Sequence, residues 1–250
     1  MGTITESAKA FMPKLSEIRR DFHMHPEVSQ HEERTGKKVA EYLKEMGCDE
    51  VYENVGGYGV VGVIKGKKPG KVVALRADMD ALQIQEMNEV PYKSQNDGVM
   101  HACGHDCHTS MLLGAAKILS AHRDEIHGTV KLVFQPAEET FEGADNMIEH
   151  GILENPKPDA ALAFHVTTGR SPVGTFMYNS KNTMMNSVDG FQITIHGKGS
   201  HGACPHQGID PINIGVHIYL ALQELIARES NPADSCVLTI GRFCAGEVAN

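Results

Sequence analysis

Tryptophan is absent from the 250 residues, and eight phenylalanines and six tyrosines leave the aromatic share at 6%. A core made from such a chain rests on Val, Ile, Leu, Met and Ala. Long apolar runs are missing as well. No stretch is suited to spanning a bilayer, and residues 1–20 break their apolar positions with Glu6, Lys9, Lys14, Glu17 and Arg19, unlike a secretory leader. There is no Lys/Arg-rich run, and the formal net charge is −9, which excludes a general attraction to nucleic acid or an anionic membrane. These absences predict a cytoplasmic protein with neither kind of partner. In that setting the six cysteines read as free thiols or metal ligands, not as a disulfide framework.

What is present is order. Apolar residues at three- and four-residue spacing predict helices over residues 5–22, with Pro13 marking a kink or a later start, and over 33–46. Strands are expected at 58–65, 71–76 (KVVALR), 129–134 (TVKLVF) and 159–164 (DAALAF), the last three as buried runs, with a turn at 67–70. Helices are expected at 106–121, with Asp106 or Thr109 as cap, and at 144–150. This alternation predicts an α/β fold with a mostly parallel sheet and flanking helices. The composition turns polar near residues 180–187. Beyond it, strands at 191–196 and 235–242 enclose a helix opened by Asp210-Pro211, which reads as a partial α+β domain. The expected division is therefore 1–183 and 184–250.

The chemistry gathers after the buried strands. KVVALR is followed by Asp78 and Asp80, TVKLVF by Gln135-Pro136-Ala137-Glu138-Glu139, and DAALAF by His165. Ligands of open α/β sheets bind beyond the carboxyl ends of the strands, so these residues are expected to converge. Between them lies His101-Ala102-Cys103-Gly104-His105-Asp106-Cys107-His108, where residues two apart, such as Cys103 and His105, share a side. Cys, His and carboxylate together suit Zn²⁺, with Mn²⁺, Co²⁺ and Ni²⁺ as alternatives. A structural zinc knuckle and a thiol pair of Cys103 and Cys107 are the competing readings. Among the other histidines, His108 is expected to order the metal loop, and His23, His25 and His31 to be structural or surface residues.

The runs RRDFHMHPE (19–27), ALRADMDAL (74–82), MHACGHDCHTSMLLG (100–114), FQPAEE (134–139) and HGKGSHGACPHQGIDPI (196–212) resemble, in this order, the amidohydrolase branch of the peptidase M20 family. That resemblance implies a zinc-exopeptidase-like catalytic domain with a lid. It implies two divalent metal ions, with Cys103, His105, Glu139 and His165 as ligands and Cys103 as their bridge. Glu138 would be the general base and Asp80 a supporting catalytic aspartate, while His201 and Asn250 would contact the substrate. The implied reaction is hydrolysis of an N-acyl amino acid by metal-activated water, in a homodimer joined through the lid. Family chains continue past this point and supply a further histidine ligand. The chain is thus read as the N-terminal part of such an enzyme, with a non-catalytic or truncated metal-binding relative as the alternative. Cys107 departs from the small residue usual at its position.

Overall fold

The computed structural model describes residues 3–169, 171–181 and 184–247, and Asn250 lies outside them. The chain divides into two compact units, 1–170 and 171–250.

In the first unit, α1 (Ile4–Met24) starts at Thr3, whose hydroxyl accepts from the Glu6 amide while the Glu6 carboxylate accepts from the Thr3 amide. The helix runs through Pro13 instead of stopping there. Pro13 and Lys9 are both exposed, so water can satisfy the carbonyl that loses its donor. Helix α2 (Glu33–Glu45) lays Val39, Ala40 and Leu43 on the sheet. Strands β1 (Glu50–Tyr52), β2 (Val60–Lys65), β3 (Lys68–Asp78), β4 (His127–Gln135) and β5 (Ala160–Ala163) form one sheet in the order β1-β2-β4-β3-β5. Helix α3 (His105–Ala121) and the short α4 (Gly143–Glu149) complete the unit.

The sheet is mixed. β1 with β2 and β2 with β4 are antiparallel, whereas β4 with β3 and β3 with β5 are parallel. The parallel half carries the strands whose ends matter. The apolar core joins Ile18 and Phe22 of α1, Leu43 of α2, Leu112 and Leu113 of α3, and Ile64, Leu132 and Phe134 of the sheet.

Three local expectations are corrected. Residues 68–70 belong to β3, across a register irregularity before Val72, because Gly70 packs directly on the His127–Gly128 backbone. β5 is exposed along its length; it pairs with β3 alone, and an apolar run is buried only where other elements cover it. Neither Asp106 nor Thr109 caps α3. Gly104 holds that position, Asp106 turns to Arg19 and His23, and the Thr109 hydroxyl donates to the Asp78 carbonyl.

In the second unit, Asp210 accepts from the amides of Ile212 and Asn213 and opens α5 (Pro211–Glu224), as its sequence predicts. A bridge pairs Lys198 with Ile209. Residues 191–196 and 235–242 are outside strands; alternation favours an extended backbone, but a strand also needs a paired ladder.

Candidate metal centre

Because β3, β4 and β5 are parallel, their carboxyl ends open on one edge, and Asp78 lies opposite Gln135 in register. The segments that follow meet there. His105 starts α3, and Gly104 before it adopts φ 86° with the Val166 side chain 2.6 Å from where a Cβ would stand, so only glycine fits. After β4 the chain turns sharply. Ala137 takes φ 49°, held by its amide donating to the buried Glu32 carboxylate at 2.7 Å, and Gly143 packs so closely on the Pro136 carbonyl that no side chain has room. This turn presents Glu138 and Glu139.

The candidate ligand atoms of Cys103, His105 and His165 lie within 4.8 Å of one another, and so do those of His105, Glu138 and Glu139. His105 links the two groups and is only 1% exposed. Its Nδ1–H donates to Asp80 Oδ1 at 3.2 Å, which leaves Nε2 as the lone-pair atom. That Nε2 lies 3.7 Å from Glu139 Oε1 and 3.9 Å from Glu138 Oε2. Among the described residues, neither His105 Nε2 nor Glu139 Oε1 has a hydrogen-bond partner, although both are buried. Two ligand atoms each about 2.1 Å from a shared cation stand at about this separation. On the other side, His165 Nδ1–H donates to the Val166 carbonyl at 2.6 Å, and its Nε2 meets Cys103 Sγ at 3.3 Å. The residues therefore fit a divalent cation, with orphaned lone pairs aimed at one place.

The electrostatics agree. Burial, then the charges of Glu139 and Glu138, push the Cys103 thiol up to about 12, so a thiolate there calls for a cation. Burial and the Glu139 charge raise Glu138, as suits a carboxylate that must take up a proton. Burial alone would raise Asp78, but the His108 hydrogen bond and the charges of His105 and Arg76 outweigh it and hold Asp78 at about 2.

Asp80 does more than one task. Its Oδ2 accepts from the Ser29 hydroxyl at 2.6 Å and from the Glu139 amide at 3.0 Å, so one carboxylate orients two of the candidate ligands. Asp78, His105 and His108 also lie close together, but His108 uses both ring nitrogens in hydrogen bonds and has no lone pair for a cation. His201 belongs to the second unit and is exposed.

Two features escaped the sequence reading. Glu32 carries no local signal of its role, since it acts on a residue 105 positions away. For His23 the structural alternative holds, with partners the sequence did not reveal: it is buried, with Nδ1 2.8 Å from Asp106 and Nε2 3.1 Å from Glu86, while Arg19 pairs with the same Asp106.

An α/β unit with Cys, His and Glu side chains gathered at parallel strand ends is the arrangement of a candidate metal centre. Residues 74–239 match the sequence profile of Peptidase family M20/M25/M40, and the chain belongs to that family. It is 45% identical over 239 residues to thermostable carboxypeptidase 2 of Saccharolobus solfataricus, covering 94% of this chain and 60% of that protein. It is 43% identical over 239 residues to the hippurate hydrolase of Campylobacter jejuni, covering 95% and 61%. The chain thus spans about three fifths of the length of these relatives. Among solved structures, the Bacillus subtilis YXEP protein, a dinuclear metal-binding peptidase of the M20 family, superimposes with TM-score 0.60 at 44% identity, covering 64% of this chain and 44% of that one. A Staphylococcus aureus protein provisionally described as an aminohydrolase gives TM-score 0.72 at 38% identity, covering 97% and 64%.

Proposed function

We propose that the chain is the metal-binding part of an amidohydrolase that cleaves N-acyl amino acids such as N-acetyl or benzoyl derivatives. The observation that carries this reading is His105 Nε2, buried, unpartnered and held by Asp80 beside Glu138 and Glu139. Cys103, His105, Glu139 and His165 would hold two divalent ions; Zn²⁺ or Mn²⁺ is the proposed occupant, ahead of Co²⁺ and Ni²⁺. Such ions supply the Lewis acidity that polarises an amide carbonyl and acidifies water. Glu138 takes the proton of the attacking water and passes it to the leaving nitrogen. Asp80 keeps the His105 lone pair turned to the site.

Hippurate hydrolase and carboxypeptidase share one demand: an amide whose nitrogen belongs to a residue with a free carboxylate. A small N-acyl amino acid meets it. Residues 184–250 act as the lid, with His201 and Asn250 as substrate contacts, and the complete protein dimerises through it. The exposed Ile212, Val216 and Leu220 of α5 support such an interface. Six free cysteines suit a reducing, cytoplasmic compartment. No helix among the described residues is long and apolar enough to cross a membrane.

The test is metal content by elemental analysis together with hydrolysis of hippurate and N-acetyl amino acids with added Zn²⁺ or Mn²⁺. Two ions and chelator-sensitive turnover are expected. Metal without turnover would favour the non-catalytic alternative, and a metal-free protein would overturn the site.

A further inference from the structure

His165 is the weakest-held member of the cluster, since it follows the exposed edge strand β5 and is itself exposed. Its orientation therefore depends on hydrogen bonds and not on packing. A continuous chain of them leads to it from the sheet. Arg76 Nη1 donates to Asp78 Oδ2 at 2.7 Å, and Asp78 Oδ1 meets His108 Nδ1 at 2.6 Å. His108 Nε2 lies 2.9 Å from the Val166 amide nitrogen, and the Val166 carbonyl accepts from His165 Nδ1.

The direction of every bond in this chain is determined. A backbone amide can only donate, so His108 Nε2 must be the acceptor, and the proton of His108 is on Nδ1, facing Asp78. The peptide joining His165 to Val166 is thereby held at its N–H by a buried imidazole, and the carbonyl of Val166, in the next peptide group, accepts from His165. The two rings also meet edge-on, with centroids 4.5 Å apart. His165 Nε2 is left as the lone pair, directed at Cys103.

We propose that His108 is the positioning residue for His165: fixed in its Nδ1–H form by Asp78 and Arg76, it anchors the Val166 backbone at the amide next to His165, holds the Val166 carbonyl where His165 Nδ1–H donates to it, and so selects the nitrogen that His165 offers to the metal. This rests on the metal-binding reading above. It assigns His108 an action on the outer ligand, distinct from that of Asp80 on His105.

Two side chains separate the two ends of the His108 ring. In His108→Gln the amide oxygen falls near the Nε2 position and keeps an acceptor for the Val166 amide. In His108→Asn the amide NH₂ falls near Nδ1 and keeps only the donation to Asp78, with no acceptor left for the Val166 amide. Zn²⁺ affinity measured by chelator competition is expected to fall about 10- to 100-fold at one of the two sites in His108→Asn, the usual effect of losing a residue that orients a ligand. It should stay close to wild type in His108→Gln. A residue that merely supports the fold would weaken binding in step with thermal stability in both variants, and that result would overturn the proposal. So would undiminished affinity in His108→Asn. Nitrogen-15 NMR of the metal-free chain gives an independent readout, with His108 expected as the Nδ1–H tautomer; an Nε2–H tautomer or an imidazolium would overturn the relay. If the wild type takes up no Zn²⁺, the metal reading fails by itself and the NMR result alone decides whether the relay exists.

Discussion

Replacing Asp80 by asparagine changes a single charge and almost no volume, yet the geometry predicts a specific failure. Asp80 accepts three hydrogen bonds, from His105 Nδ1–H on one oxygen and from Ser29 and the Glu139 amide on the other. An asparagine must point its NH₂ group to one of these sides. Facing Glu139, it meets an amide that cannot turn round, at the cost of a buried unsatisfied donor. Facing His105, it leaves the Ser29 and Glu139 bonds intact but needs a lone pair on Nδ1. The imidazole then moves its proton to Nε2, the very atom that lacks a partner. Binding a cation would require reversing this. A hydrogen bond to a charged group contributes about 1.5–3 kcal/mol, so Zn²⁺ affinity should fall by about 10- to 100-fold. Chelator competition measures the affinity, and nitrogen-15 NMR of the metal-free variant should find the His105 proton on Nε2. Unchanged affinity with the proton still on Nδ1 would refute the reasoning.

Other outcomes follow from the same geometry. In a form of the protein that turns over hippurate, Glu138→Gln should retain its metals and lose about 10²- to 10⁴-fold in kcat; near-normal turnover would mean that another group is the base. His23 is raised above its ordinary value, chiefly by its hydrogen bond to Asp106. Its contribution to stability is therefore complete below the unfolded-state value of about 6.5 and fades as pH climbs through the raised one. The Tm gap between wild type and His23→Gln should accordingly shrink from pH 6 toward alkaline pH, and a gap that widens would contradict the assignment. Lys131 is buried and gives its ammonium to the carbonyls of Ile152, Glu154 and Pro156. Lys131→Met strands these acceptors and should cost about 3 kcal/mol in urea unfolding, whereas a loss under about 0.5 kcal/mol would show that water satisfies them.

Much of this protein was legible along the chain. The helices α1, α2 and α3 follow from apolar spacing, and the Asp210-Pro211 start of α5 from capping chemistry, because these signals lie within one or two turns of the residues they govern. The apolar runs 71–76, 129–134 and 159–164 pointed to one sheet edge, since parallel strands must bring their carboxyl ends together. What contiguous residues cannot encode is which atom faces which. Whether Asp106 caps a helix or neutralises Arg19 and His23 depends on α1 packing beside α3. The alternating segments 191–196 and 235–242 show the same limit, because a strand exists only where another backbone completes its hydrogen bonds. Glu32 reaches Ala137 across 105 residues, and His108 reaches Val166 across 58. Residue types, order and periodicity thus specified the helices and most of the central strands and named the candidate ligands. Only the tertiary structure decided the hydrogen-bond partners that choose each imidazole's tautomer, because those partners come together through packing between elements distant in sequence.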